Sequence, residues 1–142
     1  MAKAKVGDAM IPGTHGSTFG GNPLAMRSAN AVLDLLLEND FLLSLRENII
    51  YFENKMDTLV NDDDKVSPVI LCKKGSGMLR GFQLTENIAA GDFGNISREK
   101  GLLLVGAAEN TIRLLPPLNT SKEEIDQAFE ILSEVVKEIK KN

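Results

Sequence analysis

Two stretches carry side chains able to do chemistry. The run Gly13-Thr14-His15-Gly16-Ser17-Thr18-Phe19-Gly20-Gly21 sets hydroxyls among glycines directly ahead of Asn22-Pro23. Exposed backbone amides and hydroxyls before a helix N-terminus are what an anion such as phosphate needs. The run fits neither the P-loop, which ends in Gly-Lys-Ser/Thr, nor the dinucleotide fingerprint, which needs a preceding strand, so a plain structural loop competes with the anion site. Farther on, Ile112-Arg113-Leu114-Leu115 sets a guanidinium in an apolar strand. Buried, Arg113 needs an anionic partner, and its planar fork of donors suits a carboxylate. On the solvent side of an edge strand it needs none.

The remaining reactive side chains point to little. His15 is the only histidine and Cys72 the only cysteine, so neither a zinc cluster nor a disulfide within the chain has ligands enough. A hydrogen-bonded structural role for His15 and a small core role for Cys72 are the expectations. Asp62, Asp63 and Asp64 follow one another without the spacing or glycine of a calcium loop, which favours a solvated turn and no metal. Sixteen basic and 20 acidic side chains, a net charge of -4, are spread along 142 residues. That distribution offers no basic face for nucleic acid. No apolar run is long enough to span a bilayer and no signal-peptide pattern opens the chain, so a reducing, cytoplasmic compartment is expected.

These residues need elements to hold them. Met1 to Gly21 reads as loop, broken by Pro12 and its glycines. Asn22 as cap and Pro23 at the first helical position start a helix predicted to reach about Glu38. Asp40 caps a second, whose stripe Leu42, Leu45, Ile49, Phe52, Met56 and Leu59 runs in steps of three and four to about Val60. Val66 to Cys72 and Met78 to Leu84 read as strands separated by Lys73-Lys74-Gly75. A helix over about Ile88 to Lys100 is weakened by Gly91 and Gly94, and strands over Leu102–Val105 and Thr111–Leu115 flank a turn at Glu109-Asn110. Thr120 or Ser121, with Glu123 or Glu124 three residues on, caps a last helix. Its apolar face is Ile125, Ala128, Phe129, Leu132, Val135, Val136 and Ile139. The fold class is α/β, as an α+β layer: helices with one apolar stripe each, packed on one face of a small, mostly antiparallel sheet.

In this order and at this separation the two stretches resemble motifs of the class-III aminotransferases, pyridoxal-phosphate enzymes, and of the acetylornithine aminotransferase type in particular. The resemblance covers nearly the whole chain. Gly75-Ser76-Gly77-Met78-Leu79-Arg80-Gly81 is similar to the family's glycine-flanked strand, and Lys100-Gly101-Leu102-Leu103 to its late strand entry.

The resemblance implies that Ser17 and Thr18 contact the cofactor phosphate across a dimer interface and that Arg113 grips the α-carboxylate of the amino-acid substrate. It implies two parts: residues 1–38, the end of the large domain with its glycine-rich arm, and residues 39–142, the C-terminal small domain of fold-type I enzymes. The family's Schiff-base lysine and its pyridine-pairing aspartate lie upstream of the glycine-rich motif, and Lys3 and Lys5 do not match that lysine. Catalytic residues are therefore expected to be absent here, and the chain alone inactive. The complete enzyme would be a homodimer moving an amino group from N-acetylornithine to 2-oxoglutarate in arginine biosynthesis. A related ornithine or ω-amino-acid transaminase is one alternative. The other is a non-catalytic interaction or dimerisation module built on the arm and the first helix, with Leu33, Leu36 and Leu37 as its apolar side.

Overall fold

Asn22 starts the first long helix as its sequence requires: its Oδ1 accepts the amides of Leu24 at 2.9 Å and Ala25 at 3.2 Å, and Pro23 at the first position forfeits no bond. The computed structural model describes residues 3–38, 40–63, 66 and 68–141. It falls into two units, Met1–Leu42 and Leu43–Asn142. The first contains one short turn of helix, α1 (Ala4–Gly7), in a stretch whose composition predicts only loop, and α2 (Pro23–Leu36). None of the residues of α2 is buried, and Leu33 and Leu37 are exposed.

The second unit holds the core. Its elements are α3 (Phe41–Asp62, entering from the first unit), β1 (Ile70–Ser76), β2 (Leu79–Leu84), α4 (Ala90–Glu99), β3 (Val105–Ala107), β4 (Thr111–Leu114) and α5 (Lys122–Ile139). The strands form one sheet in the order β1-β2-β4-β3, antiparallel throughout. Alternation along β2 and β4 sends Phe82, Leu84, Ile112 and Leu114 to one face, where they join Phe52 and Met56 of α3 and Phe129 and Leu132 of α5 in a single core. The rings of Phe52 and Phe129 meet edge to face at 5.7 Å. Among the described residues no helix is long and apolar enough to cross a membrane.

Three expectations are corrected. Lys73-Lys74-Gly75 does not separate the strands but ends β1, and the chain turns at Gly77-Met78, between the paired Ser76 and Leu79. The segment is held as strand by pairing with Phe82, Gly81 and Arg80 of β2, and each lysine finds its own charge balance: Lys73 Nζ lies 2.6 Å from Asp57 and 3.2 Å from Glu53 on α3, while Lys74 pairs with Glu109. Second, the predicted strand Leu102–Val105 yields only its last residue to β3, while Leu102 is spent closing α4. Its amide reaches Ser97 O at 3.0 Å and the amide of Gly101 (φ +94°) reaches Arg98 O at 3.0 Å, a Schellman closure that wants glycine at the left-handed position.

Third, the aspartate turn is not simply solvated. Asp63 is 5% exposed, its Oδ2 accepts the amides of Val69 and Ile70, both at 2.8 Å, and its Oδ1 lies 2.5 Å from Lys140 Nζ. The ion pair and two amide bonds offset the cost of burying the carboxylate. Asp64, the third member of the run, lies outside the described residues.

Of the two cap pairs open for α5, the structure uses Ser121 and Glu124, whose reciprocal bonds are 3.2 and 2.8 Å. By contrast α4 has no side-chain cap of its own at Ala89. Asn110 supplies one from 20 residues away: its Oδ1 accepts the amide of Ala90 at 2.9 Å, while its Nδ2 donates to Thr85 O at 3.0 Å and Ile88 O at 2.8 Å. The β3–β4 turn places it there with Glu109 and Asn110 both left-handed, at φ 56° and 49°. Asn110→Ala is expected to cost about 2–3 kcal/mol, since three partners lose their bonds and alanine tolerates that backbone poorly. A fall in the urea midpoint at constant slope would register it.

Candidate functional site

Arg113 emanates from β4 toward the face away from the helices. It is exposed, yet β4 is an inner strand, paired with β2 on one side and β3 on the other. Neither reading open from the sequence describes this: the guanidinium is not buried with an anion, and the strand is not an edge. Register sets the neighbours. Arg113 stands opposite Gly81 of β2 and opposite Val105 of β3, and Gly81 in turn stands opposite Lys74 of β1. Among the described residues the guanidinium of Arg113 has no hydrogen-bond or ion-pair partner.

The contrast with Arg80 is instructive. One step along β2, alternation turns Arg80 to the core face, where it is 9% exposed and fully engaged. Its Nη1 donates to Gly75 O at 2.7 Å, its Nε to Gly77 O at 3.0 Å, and its Nη2 pairs with Glu53 at 3.0 Å. Arg80 is thus structural, whereas the guanidinium of Arg113 makes no hydrogen bond or ion pair among the described residues. The alternation Arg80, Phe82, Leu84 was a legible signal that Arg80 is inward and needs a partner; nothing local named Glu53.

Glu53, bridging Lys73 and Arg80, has its carboxyl held below the ordinary glutamate range, chiefly by the Lys73 hydrogen bond and then by the charge of Arg80. A lowered carboxyl stabilises the fold above its unfolded value, about pH 4.3, and that contribution fades as the pH falls through the folded value. Glu53→Gln is therefore expected to flatten the loss of stability below about pH 4.3 in denaturant titrations at stepped pH, with the two proteins converging in acid.

Beside Arg113 lies a half-open cavity of about 780 Å³. Its lining joins Leu103, Val105, Leu115 and Pro116 to the core residues Phe52, Ile125, Phe129 and Leu132, so it extends to the helix side of the sheet; Arg113, which leaves β4 toward the other face, is its one cationic lining residue. Its one acidic lining residue, Glu124, is committed to the cap of α5. A cation among apolar walls suits a molecule with a carboxylate at one end.

Ser17 and Thr18 belong to the first unit, in the loop before α2. Both are exposed and neither hydroxyl has a partner among the described residues. From Ala9 to Asn22 the loop contains no carboxylate, so an incoming anion meets hydroxyls and amides without like charge. That donor set fits a phosphate. His15 is exposed in the same loop, and Cys72 is half-buried on β1 with its thiol 3.4 Å from Gln83 Oε1. Among the described residues no three or more His, Cys, Asp or Glu side chains gather to hold a metal ion.

A class-III aminotransferase family model matches residues 1–136. An acetylornithine aminotransferase of Streptococcus mutans is 41% identical over 135 residues, 95% of this chain and 34% of that protein. The mitochondrial acetylornithine aminotransferase of Debaryomyces hansenii is 33% identical over 143 residues, 100% of this chain and 30% of the relative. Among solved structures, an ornithine δ-aminotransferase of Plasmodium falciparum superimposes with a TM-score of 0.85 at 28% identity, over 100% of this chain and 35% of that one. The ornithine aminotransferase of Toxoplasma gondii, described with partial occupancy of PLP at its active site, gives 0.82 at 29% identity, over 100% and 34%. The chain spans about a third of the length of the curated relatives it matches.

Proposed function

The chain belongs to the class-III aminotransferase family, and from that premise we propose that it is the C-terminal part of a pyridoxal-phosphate transaminase of the acetylornithine type. Residues 1–38 would be the end of the large domain and 39–142 the small domain. The observation that carries the reading is Arg113: an unpartnered guanidinium on an inner strand, beside an apolar cavity. Acetylornithine aminotransferases at 33–41% identity support the choice of donor over ornithine.

Within this reading each residue has a task. Bound pyridoxal phosphate supplies an electron-withdrawing ring for the substrate's α-carbon. The hydroxyls of Ser17 and Thr18 donate to phosphate oxygens, fixing one end, in the active site of a second subunit of a homodimer. Arg113 takes the α-carboxylate of the amino acid in a two-pronged grip, fixing the other end. Leu103, Leu115 and Pro116 line the same cavity and offer apolar surface to the rest of the substrate. Proton transfer at the α-carbon falls to a lysine that this chain does not supply at a matching position. The single cysteine supports a reducing, cytoplasmic setting.

The test is a chimera in which residues 1–136 replace the matching part of the Streptococcus mutans enzyme. It should hold the cofactor, seen by its absorbance, and transfer the amino group of N-acetylornithine to 2-oxoglutarate. A folded chimera that turns over ornithine but not N-acetylornithine reassigns the donor. One that folds without retaining the cofactor removes Ser17 and Thr18 from the phosphate site. The 142-residue chain by itself, incubated with pyridoxal phosphate and reduced with borohydride, should show only scattered, sub-stoichiometric labelling; one stoichiometric adduct on a single lysine would contradict the reading.

A further inference from the structure

Gly81 stands opposite Arg113 in the β2–β4 register. It is buried, and its φ does not lie in the left-handed region, so glycine is not needed there for backbone freedom. Space is the reason. A Cβ at position 81 would sit 2.7 Å from Thr111 Cγ2 and 3.0 Å from Ile112 O. The room that glycine leaves is filled by Thr111, on the same strand and face as Arg113 and two residues before it. Thr111 is buried, and its hydroxyl donates to Glu109 O at 3.2 Å, fixing its rotamer against the β3–β4 turn.

We infer that Gly81 is a positioning residue for Arg113: its missing side chain lets Thr111 seat against β2, and that seating sets the path of β4 from which the guanidinium reaches a carboxylate. A side chain at 81 presses on Thr111 and on the Ile112 carbonyl, the two residues leading into Arg113. No side-chain hydrogen bond or ion pair among the described residues holds the guanidinium itself, so its direction follows the backbone ladder that pairs Arg113 with Gly81 and Val105. The aim of the guanidinium therefore depends on strand packing alone. This inference rests on the reading of Arg113 as the carboxylate anchor.

The test uses the 142-residue chain and two readouts: the Arg113 Nε–H resonance, assigned by its loss in Arg113→Lys, and the affinity for sodium propionate at fixed ionic strength. Gly81→Ala is expected to move the resonance and to weaken propionate about tenfold, the scale of effect a sub-ångström misplacement has on an oriented contact. Thr111→Ser removes the methyl that the new Cβ would strike and keeps the hydroxyl, so Gly81→Ala/Thr111→Ser should return both readouts most of the way. Should Gly81→Ala fail to fold, the double variant alone decides, by matching the parent resonance or not. Gly81→Ala with both readouts unchanged overturns the inference, as does a double variant no closer to the parent than the single. If Arg113→Lys leaves propionate affinity unchanged, the carboxylate reading of Arg113 fails instead, and the resonance still scores Gly81.

Discussion

Gly75→Ala is expected to be the most damaging single substitution in the second unit. Gly75 has φ +89°, and a Cβ built there would lie 2.2 Å from Leu79 O, a backbone atom that moves only if the hairpin opens. The penalty has two sources. The left-handed conformation costs a residue with a side chain on the order of 1–2 kcal/mol. The overlap must be relieved by pulling Ser76 and Leu79 out of register, and that displaces the Gly75 carbonyl from Arg80 Nη1. Arg80 is buried, so losing this acceptor leaves a desolvated donor and loosens its pairing with Glu53. Together the loss should reach about 4 kcal/mol, or some 15–30 °C in melting temperature for a unit of this size. Calorimetry would measure it, and a shift of only a few degrees would mean that the β1–β2 turn rearranges freely.

Arg113→Lys should produce the largest functional loss. Made in the chimera with the Streptococcus mutans enzyme, it is expected to lower kcat/KM for the amino donor about 10- to 100-fold, through both a higher KM and a lower kcat. Lysine keeps the charge but offers one ammonium where arginine offers two parallel donors. The carboxylate is then held at a point instead of along an edge, and the α-carbon loses its orientation. Because Arg113 has no structural partner among the described residues, the melting temperature should move little. Equal kinetics for the two proteins would assign Arg113 to the surface, and an equal loss of stability would assign it to the fold.

Which of these features the sequence reveals depends on the distance over which they are decided. Asn22-Pro23, the Ser121–Glu124 box and the stripe of α5 act over three or four residues, and all are readable by eye. So is the Glu109-Asn110 turn. What escapes a local reading is settled by partners 10 to 80 residues away. Lys73-Lys74-Gly75 has turn composition, and only its pairing with β2 and the distant carboxylates Glu53, Asp57 and Glu109 show it as strand. Asp63 looks solvated until Lys140, at the far end of the chain, comes to meet it. The cap of α4 is invisible because Asn110 lends it from another element. For the candidate site, residue types were legible: Ser17, Thr18 and Arg113 stand out by their surroundings. The placement of Arg113 was not, since only strand order shows that β4 is an inner strand and that Gly81 lies opposite.

The order β1-β2-β4-β3 also governs how the sheet meets the sheets of other molecules. It ends in β1 and β3, the edges where a strand from a neighbour would add. Each is a poor template. β3 offers three residues before the chain bends away. β1 has an irregular register between Ile70 and Cys72, and its lysines are engaged by Asp57 and Glu53 and by Glu109. A strand zipping onto β1 would have to cross the kink and crowd those charges. The sheet is thereby guarded at both margins against the edge-to-edge pairing from which fibrils grow.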